Sequence, residues 1–179
     1  MRAAKSPRGT LALGHGAGGG VESPDLKGAA QAAGEAGLTV VLVEQPYRVA
    51  GRRSPAPAGQ LDAAWFSVLE QLKLAGPLIV GGRSSGARVA CRTSHEIGAA
   101  AVLCLAFPLH PPGRPEKSRL DELDAVDVPT LVVQGERDPF GLPPPGPDRE
   151  VLTIAGSHSL RSSSAVEAAV APWLAGLAL

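Results

Sequence analysis

Apolar and polar positions alternate in blocks along the chain, and the blocks change period. Residues 10–13 form a short apolar run that ends in Gly14-His15-Gly16-Ala17-Gly18-Gly19-Gly20. Ser23 and Pro24 then read as an N-cap and first-turn proline for a helix to Glu35, stopped by Gly37. Residues 38–43 are continuous and β-branched, the pattern of a strand buried on both faces, and Pro46 ends it. Leu61, Trp65, Val68, Leu69 and Leu72 recur at helical spacing and predict an amphipathic helix over 60–74. Strands follow at 77–80, 99–106, 129–133 and 150–154, with helices at 85–93, 117–123 and 162–177. A run of strand–helix–strand units predicts an α/β fold: about six strands, mostly parallel, with helices on both faces. Ligands in such sheets bind beyond the carboxyl ends of the strands. The chain's unusual residues fall there.

The third strand runs into Gly82-Arg83-Ser84-Ser85-Gly86, a G-x-S-x-G turn before a helix. A nucleophilic serine on a sharp strand-to-helix turn needs glycines two residues to either side, where strand and helix crowd. Ser84 has them; Ser85 would have Arg83 and Ala87. A serine nucleophile needs a base, and the base an orienting acid. Asp138 follows the fifth strand and His158 the sixth, in the chain order Ser, Asp, His expected of this architecture. Glu136 is the rival acid. His95 and His110 read as loop or surface histidines. His15 precedes the nucleophile and reads either as a brace of its own loop or as a substrate contact, together with Gly16.

The glycine loop after the first strand meets G-x-G-x-x-G through Gly14, Gly16 and Gly19. The only acid after the next strand, Glu44, lies too far away for a dinucleotide site. An oxyanion loop suits it better, with backbone N–H donors at Ser85 and Ala17.

These stretches resemble the α/β-hydrolases. More narrowly, the chain is similar to the small group of testis-expressed hydrolase-like proteins. That group includes the hydrolase-like domain of an NSL histone-acetyltransferase-complex subunit and bacterial members labelled dienelactone-hydrolase-like. The matching segments are His15 to Gly19 with Ser23-Pro24, Pro46-Tyr47 with Gly51-Arg52-Arg53, Gly81-Gly82-Arg83-Ser84, Pro108-Leu109-His110-Pro111-Pro112-Gly113, Gln134 to Gly141 and Gly156-Ser157-His158. The resemblance implies a compact α/β-hydrolase without a cap domain, and Ser84, Asp138 and His158 as a catalytic triad. True dienelactone hydrolases carry a cysteine where this chain has Ser84. Ser85 stands where many relatives have a bulkier residue. Some members of the group are interaction modules, so a catalytically idle, protein-binding scaffold is the alternative to a serine esterase.

Composition trims the remaining classes. Lys+Arg 17 balances Asp+Glu 17, which argues against a nucleic-acid partner. No apolar run reaches the roughly 18–20 residues of a membrane span, and 10–13 is too short for a signal peptide. The chain is thus expected to be cytoplasmic, a tail over 1–8 before one domain over 9–179. Cys91 and Cys104 read as buried thiols. The histidines and cysteines show no metal-ligand spacing, and no cofactor loop emerges. The expected partner is a small acyl substrate. Arg48, Arg52, Arg53, Arg83 and Arg119 lie near strand ends. Arg52, Arg53 and Arg83 are candidate contacts to an anionic substrate; alternatively these arginines pair with Glu44, Asp62 or Asp121 and hold loops. Glycine (22) and proline (17) crowd the same face: twelve prolines fall within 46–57, 108–115 and 139–147.

Overall fold

The computed structural model describes residues 7–72 and 74–179. Six strands form one sheet: β1 (Thr10–Gly14), β2 (Thr39–Val43), β3 (Leu78–Arg83), β4 (Ala101–Leu105), β5 (Thr130–Gly135) and β6 (Arg149–Ile154). Their order is β2-β1-β3-β4-β5-β6, and each neighbouring pair is parallel. The helices are α1 (Pro24–Glu35), α2 (Pro46–Val49), α3 (Ala58–Glu70), α4 (Ser85–Thr93), α5 (Leu120–Asp124) and α6 (Ser163–Gly176). The fold is a single parallel sheet between helices on both faces, as the resemblance to the α/β-hydrolases implies. Among the described residues the β4–β5 connection carries only α5, with no inserted cap.

Alternate residues of each strand feed opposite cores, as the pleat requires. On one face Leu11, Leu13, Ile79, Leu103, Leu131 and Val133 pack under α1 and α6. On the other, Ala12, Val41, Val80, Val102, Cys104 and Val132 meet α3 and α4, with Trp65 at 1 % exposure. α1 can lie close to α6 because Gly28 faces the Ser163 carbonyl, where a Cβ would not fit. The two cysteines are buried, their sulfurs 3.5 Å apart. The hydrogen bond to Cys91, together with burial, pushes the Cys104 thiol well above its ordinary pKa.

Several boundaries differ from expectation. Pro46 does more than end β2: its fixed φ starts the four-residue helix α2. α3 begins two residues before Gln60 and stops at Glu70; position 73 of the expected helix lies outside the described residues. α5 starts at Leu120 rather than at 117. Ser23 stands at the α1 N-cap, but its hydroxyl caps nothing. Ser162 is the capping serine of α6, accepting from the Ala165 N–H at 3.2 Å. Of the expected tail, residues 1–6 lie outside the described residues, while Arg8 N donates to Gly37 O at 3.1 Å. No helix of the described residues is long and apolar enough to cross a membrane.

The chain leaves β1 for α1 on one face and β3 for α4 on the other, although β1 and β3 are neighbours. That switch opens a crevice at their carboxyl ends. The glycine loop and Ser84 lie there.

Candidate active site

Gly14 and Gly82 pair across β1 and β3 at the mouth of this crevice. A Cβ on Gly82 would come within 2.5 Å of the Gly14 carbonyl, and one on Gly86 would overlap the same carbonyl. The two glycines thus let α4 start directly against β1. Between them Ser84 takes φ 52 and ψ −110. It is one of two described non-glycine residues with positive φ; the other, Ala106, ends neighbouring β4 at φ 50. Such conformations cost about 1–3 kcal/mol each and concentrate at functional sites. The strained turn is held from below, where Ser84 N donates to Leu105 O at 2.9 Å. Gly86→Ala should destabilise the protein by about 1–3 kcal/mol, because backbone rather than a flexible side chain must give way. A thermal melt indistinguishable from wild type would show that the elbow has room.

Ser84 Oγ lies 2.9 Å from His158 Nε2, and His158 Nδ1 lies 2.9 Å from Asp138 Oδ2. With Asp138 accepting from Nδ1–H, the Nε2 lone pair faces the serine hydroxyl. The Asp138 side chain is 1 % exposed. Its Oδ2 also accepts from Gln134 Nε2 at 2.8 Å, and its Oδ1 from Phe140 N at 2.9 Å. The Gln134 amide further reaches the carbonyls of Phe107 and Gly141, tying the ends of β4 and β5 together. Phe140 stacks on the His158 ring with centroids 4.1 Å apart, fixing its plane. Glu136, the rival acid, is exposed, and its N–H is bound to Ile154 O. His95 is exposed against Asp127, and His110 bonds the Pro111 carbonyl.

Of the two readings of His15 the brace is the one observed, and Arg83, an expected substrate contact, is an internal brace as well. His15 is 1 % exposed, and both ring nitrogens are used: Nδ1 donates to Gly16 O at 2.8 Å, and Nε2 accepts from Gln45 N at 3.0 Å. It ties the β1 loop to the β2 loop and has no nitrogen left for a substrate. Arg83 is likewise engaged within the protein. Its Nε donates to Asp25 Oδ2 at 3.0 Å, and its Nη2 to the His158 carbonyl at 3.3 Å. Gly16 leaves the room that Arg83 occupies, since a Cβ there would lie 2.6 Å from Nη1. Asp25 is 2 % exposed in the first turn of α1, where the helix dipole favours a carboxylate, and its Oδ1 accepts from Leu26 N.

Above this frame, Tyr47 Oη donates to Ala17 O at 3.1 Å and so fixes the Ala17–Gly18 peptide, the one that follows the Ala17 N–H. Burial pushes the Tyr47 phenol above its ordinary pKa, with nearby Arg48 working against it, and the hydroxyl stays a donor. Among the described residues, neither the Ala17 nor the Ser85 N–H is given to a protein acceptor. Arg52 and Arg53 are exposed, and among the described residues neither forms an ion pair. Glu44, Asp62 and Asp121 do not pair with any of the strand-end arginines; Asp62 binds Arg92, and Arg119 bonds the Pro108 carbonyl. No described cluster of His, Cys, Asp or Glu could hold a metal ion. Asp25, Gln134 and Tyr47 are the supports that sequence reasoning missed.

The architecture recurs among solved structures. A serine hydrolase without a lid from Xanthomonas campestris superposes with TM-score 0.68 at 20% identity, covering 97% of this chain and 86% of that one. Est1E from Butyrivibrio proteoclasticus, solved with bound ferulic acid, gives 0.72 at 15% identity, over 94% and 89%. A serine hydrolase homologue from Coxiella burnetii gives 0.68 at 16% identity, over 98% and 88%. At these identities the likeness speaks to fold. Sequence decides the family: residues 7–145 match the alpha/beta hydrolase domain model, and the chain belongs to that family.

Proposed function

We propose that this protein is a serine hydrolase that cleaves a small ester or related acyl substrate through an acyl-enzyme. The observation that carries the reading is the hydrogen-bonded line from Ser84 Oγ through both nitrogens of His158 to buried Asp138. In the first half-reaction Ser84 Oγ attacks the carbonyl carbon while His158 Nε2 takes its proton. Asp138 keeps the imidazole in the tautomer with Nδ1–H and stabilises the imidazolium. The N–H groups of Ser85 and Ala17 receive the developing oxyanion, each contributing about 3–4 kcal/mol to the transition state. His158 then returns the proton to the departing alkoxide. Water, deprotonated by the same nitrogen, attacks the acyl-enzyme, and the acid leaves with Ser84 restored.

A fluorophosphonate probe tests the proposal. Wild type should be labelled at Ser84 and should hydrolyse short p-nitrophenyl esters, and Ser84→Ala should do neither. Equal labelling of the two proteins, or none of wild type, would leave the idle scaffold as the better reading.

A further inference from the structure

Residues 45–61 contain Arg48, Arg52 and Arg53 and no Asp or Glu. The acid that follows, Asp62, is engaged elsewhere: its oxygens take Arg92 Nη2 at 2.6 Å and Nε at 2.9 Å. Among the described residues no carboxylate lies within ion-pair distance of Arg52 or Arg53. Arg48 adds a buried Nε without a hydrogen-bond partner. In a chain of zero net charge this is a local, unneutralised cationic segment.

The segment is also shaped. Gly51, at φ +72, turns the chain after α2, and Arg52 N donates back to Tyr47 O at 2.9 Å. Tyr47, Arg52, Arg53, Ser54 and Gln60 line a cleft of about 390 Å³, with Pro55 and Pro57 in its wall. Proline holds such a wall at small entropic expense. The cleft shares Tyr47 with the loop above Ser84: the same side chain that lines it donates to the Ala17 carbonyl. Two guanidinium forks with no acceptor match a carboxylate or phosphate. The cleft has room for a small anion, and its lining offers an arginine pair rather than the basic stripe a polynucleotide needs.

We propose that Arg52 and Arg53 form an anion subsite beside the acyl-transfer centre, so that the preferred substrate is an ester whose acyl part ends in a carboxylate or phosphate-like group. This rests on the hydrolase reading above. The oxyanion end of the substrate lies under Ala17, and its charged end reaches past Tyr47 to the arginine pair.

Three p-nitrophenyl esters of matched length test it: the hexanoate, the hydrogen adipate and the 5-phosphonopentanoate. At low salt at least one anionic ester should exceed the hexanoate in kcat/KM by about tenfold or more, and added NaCl should shrink the ratio. In Arg52→Ala/Arg53→Ala the ratio should fall to about one; because it is internal to each protein, general damage to the fold cancels. The adipate-to-phosphonate ratio says which anion the cleft prefers. A wild-type ratio of one, or a ratio that survives the double substitution, overturns the proposal. If no ester is cleaved and Ser84 is not labelled, the hydrolase reading fails separately. The subsite is then read by calorimetry with adipate and with inorganic phosphate: binding lost in the double variant supports it, and no binding or equal binding overturns it.

Discussion

Asp138→Asn should lower kcat by about 10⁴-fold and leave the protein folded. The reason lies in the three bonds that the carboxylate accepts. Oδ1 takes the Phe140 N–H, while Oδ2 takes both Gln134 Nε2 and His158 Nδ1. An asparagine can place its oxygen at only one of these two positions. With the amide nitrogen toward His158, it donates to Nδ1 and fixes the proton on Nε2. Ser84 Oγ then meets a donor instead of a base. With the nitrogen toward Phe140, two N–H groups face each other and the imidazolium loses its countercharge. Phe140, stacked 4.1 Å from the imidazole, prevents a compensating ring rotation. The unmade buried hydrogen bond should cost about 1–3 kcal/mol in stability. Steady-state kinetics on a p-nitrophenyl ester, paired with a thermal melt, read both effects. A kcat within about tenfold of wild type would remove Asp138 from the orienting role and return attention to Glu136.

The line from Ser84 to Asp138 was readable because each member sits just past a strand, and parallel strands bring their carboxyl ends to one face. The β-branched run at 38–43 and the helical spacing of Leu61, Trp65 and Leu69 were enough to place elements between which Ser84, Asp138 and His158 must meet. Long-range pairs were another matter. Arg83 looked like an anion contact because it follows a strand. Its partner Asp25 is 58 residues earlier, on a helix that only the β1–β3 adjacency brings near. His15 reads from sequence as a brace of its own loop or a substrate contact; that the brace extends to Gln45, 30 residues on and in a different loop, is not a local signal. Gln134 is one polar residue in a buried strand, and nothing local says that its amide will donate to two carbonyls and the Asp138 carboxylate. Proline at 46 carried two meanings, strand end and helix start, and periodicity is too coarse to register a four-residue helix. The composition bias was more informative once placed on the chain. Glycines at Gly14, Gly82 and Gly86 permit a backbone crossing, and prolines 55 and 57 line the arginine cleft.

Asp25→Ala should be the most destabilising single change at the site's base. The pair it breaks is buried, with side-chain exposures of 15% for Arg83 and 3% for Asp25. Removing the carboxylate leaves a guanidinium whose remaining acceptor is the His158 carbonyl at 3.3 Å. An uncompensated buried charge costs about 3–5 kcal/mol. For a domain of this size that lowers Tm by roughly 6–20 °C. The pair does more than hold α1 to the elbow, because Arg83 adjoins Ser84 and also fixes the backbone of His158. Two variants separate these effects. Asp25→Leu/Arg83→Met removes both charges and keeps apolar volume, so most of the lost stability should return. Its kcat should stay depressed with KM little changed, because a methionine offers no N–H to the His158 carbonyl. Recovery of Tm and kcat together would mean that Arg83 acts through packing alone. A Tm for Asp25→Ala within about 2 °C of wild type would mean that the guanidinium finds water at no loss and that the pair does not hold α1 to the elbow.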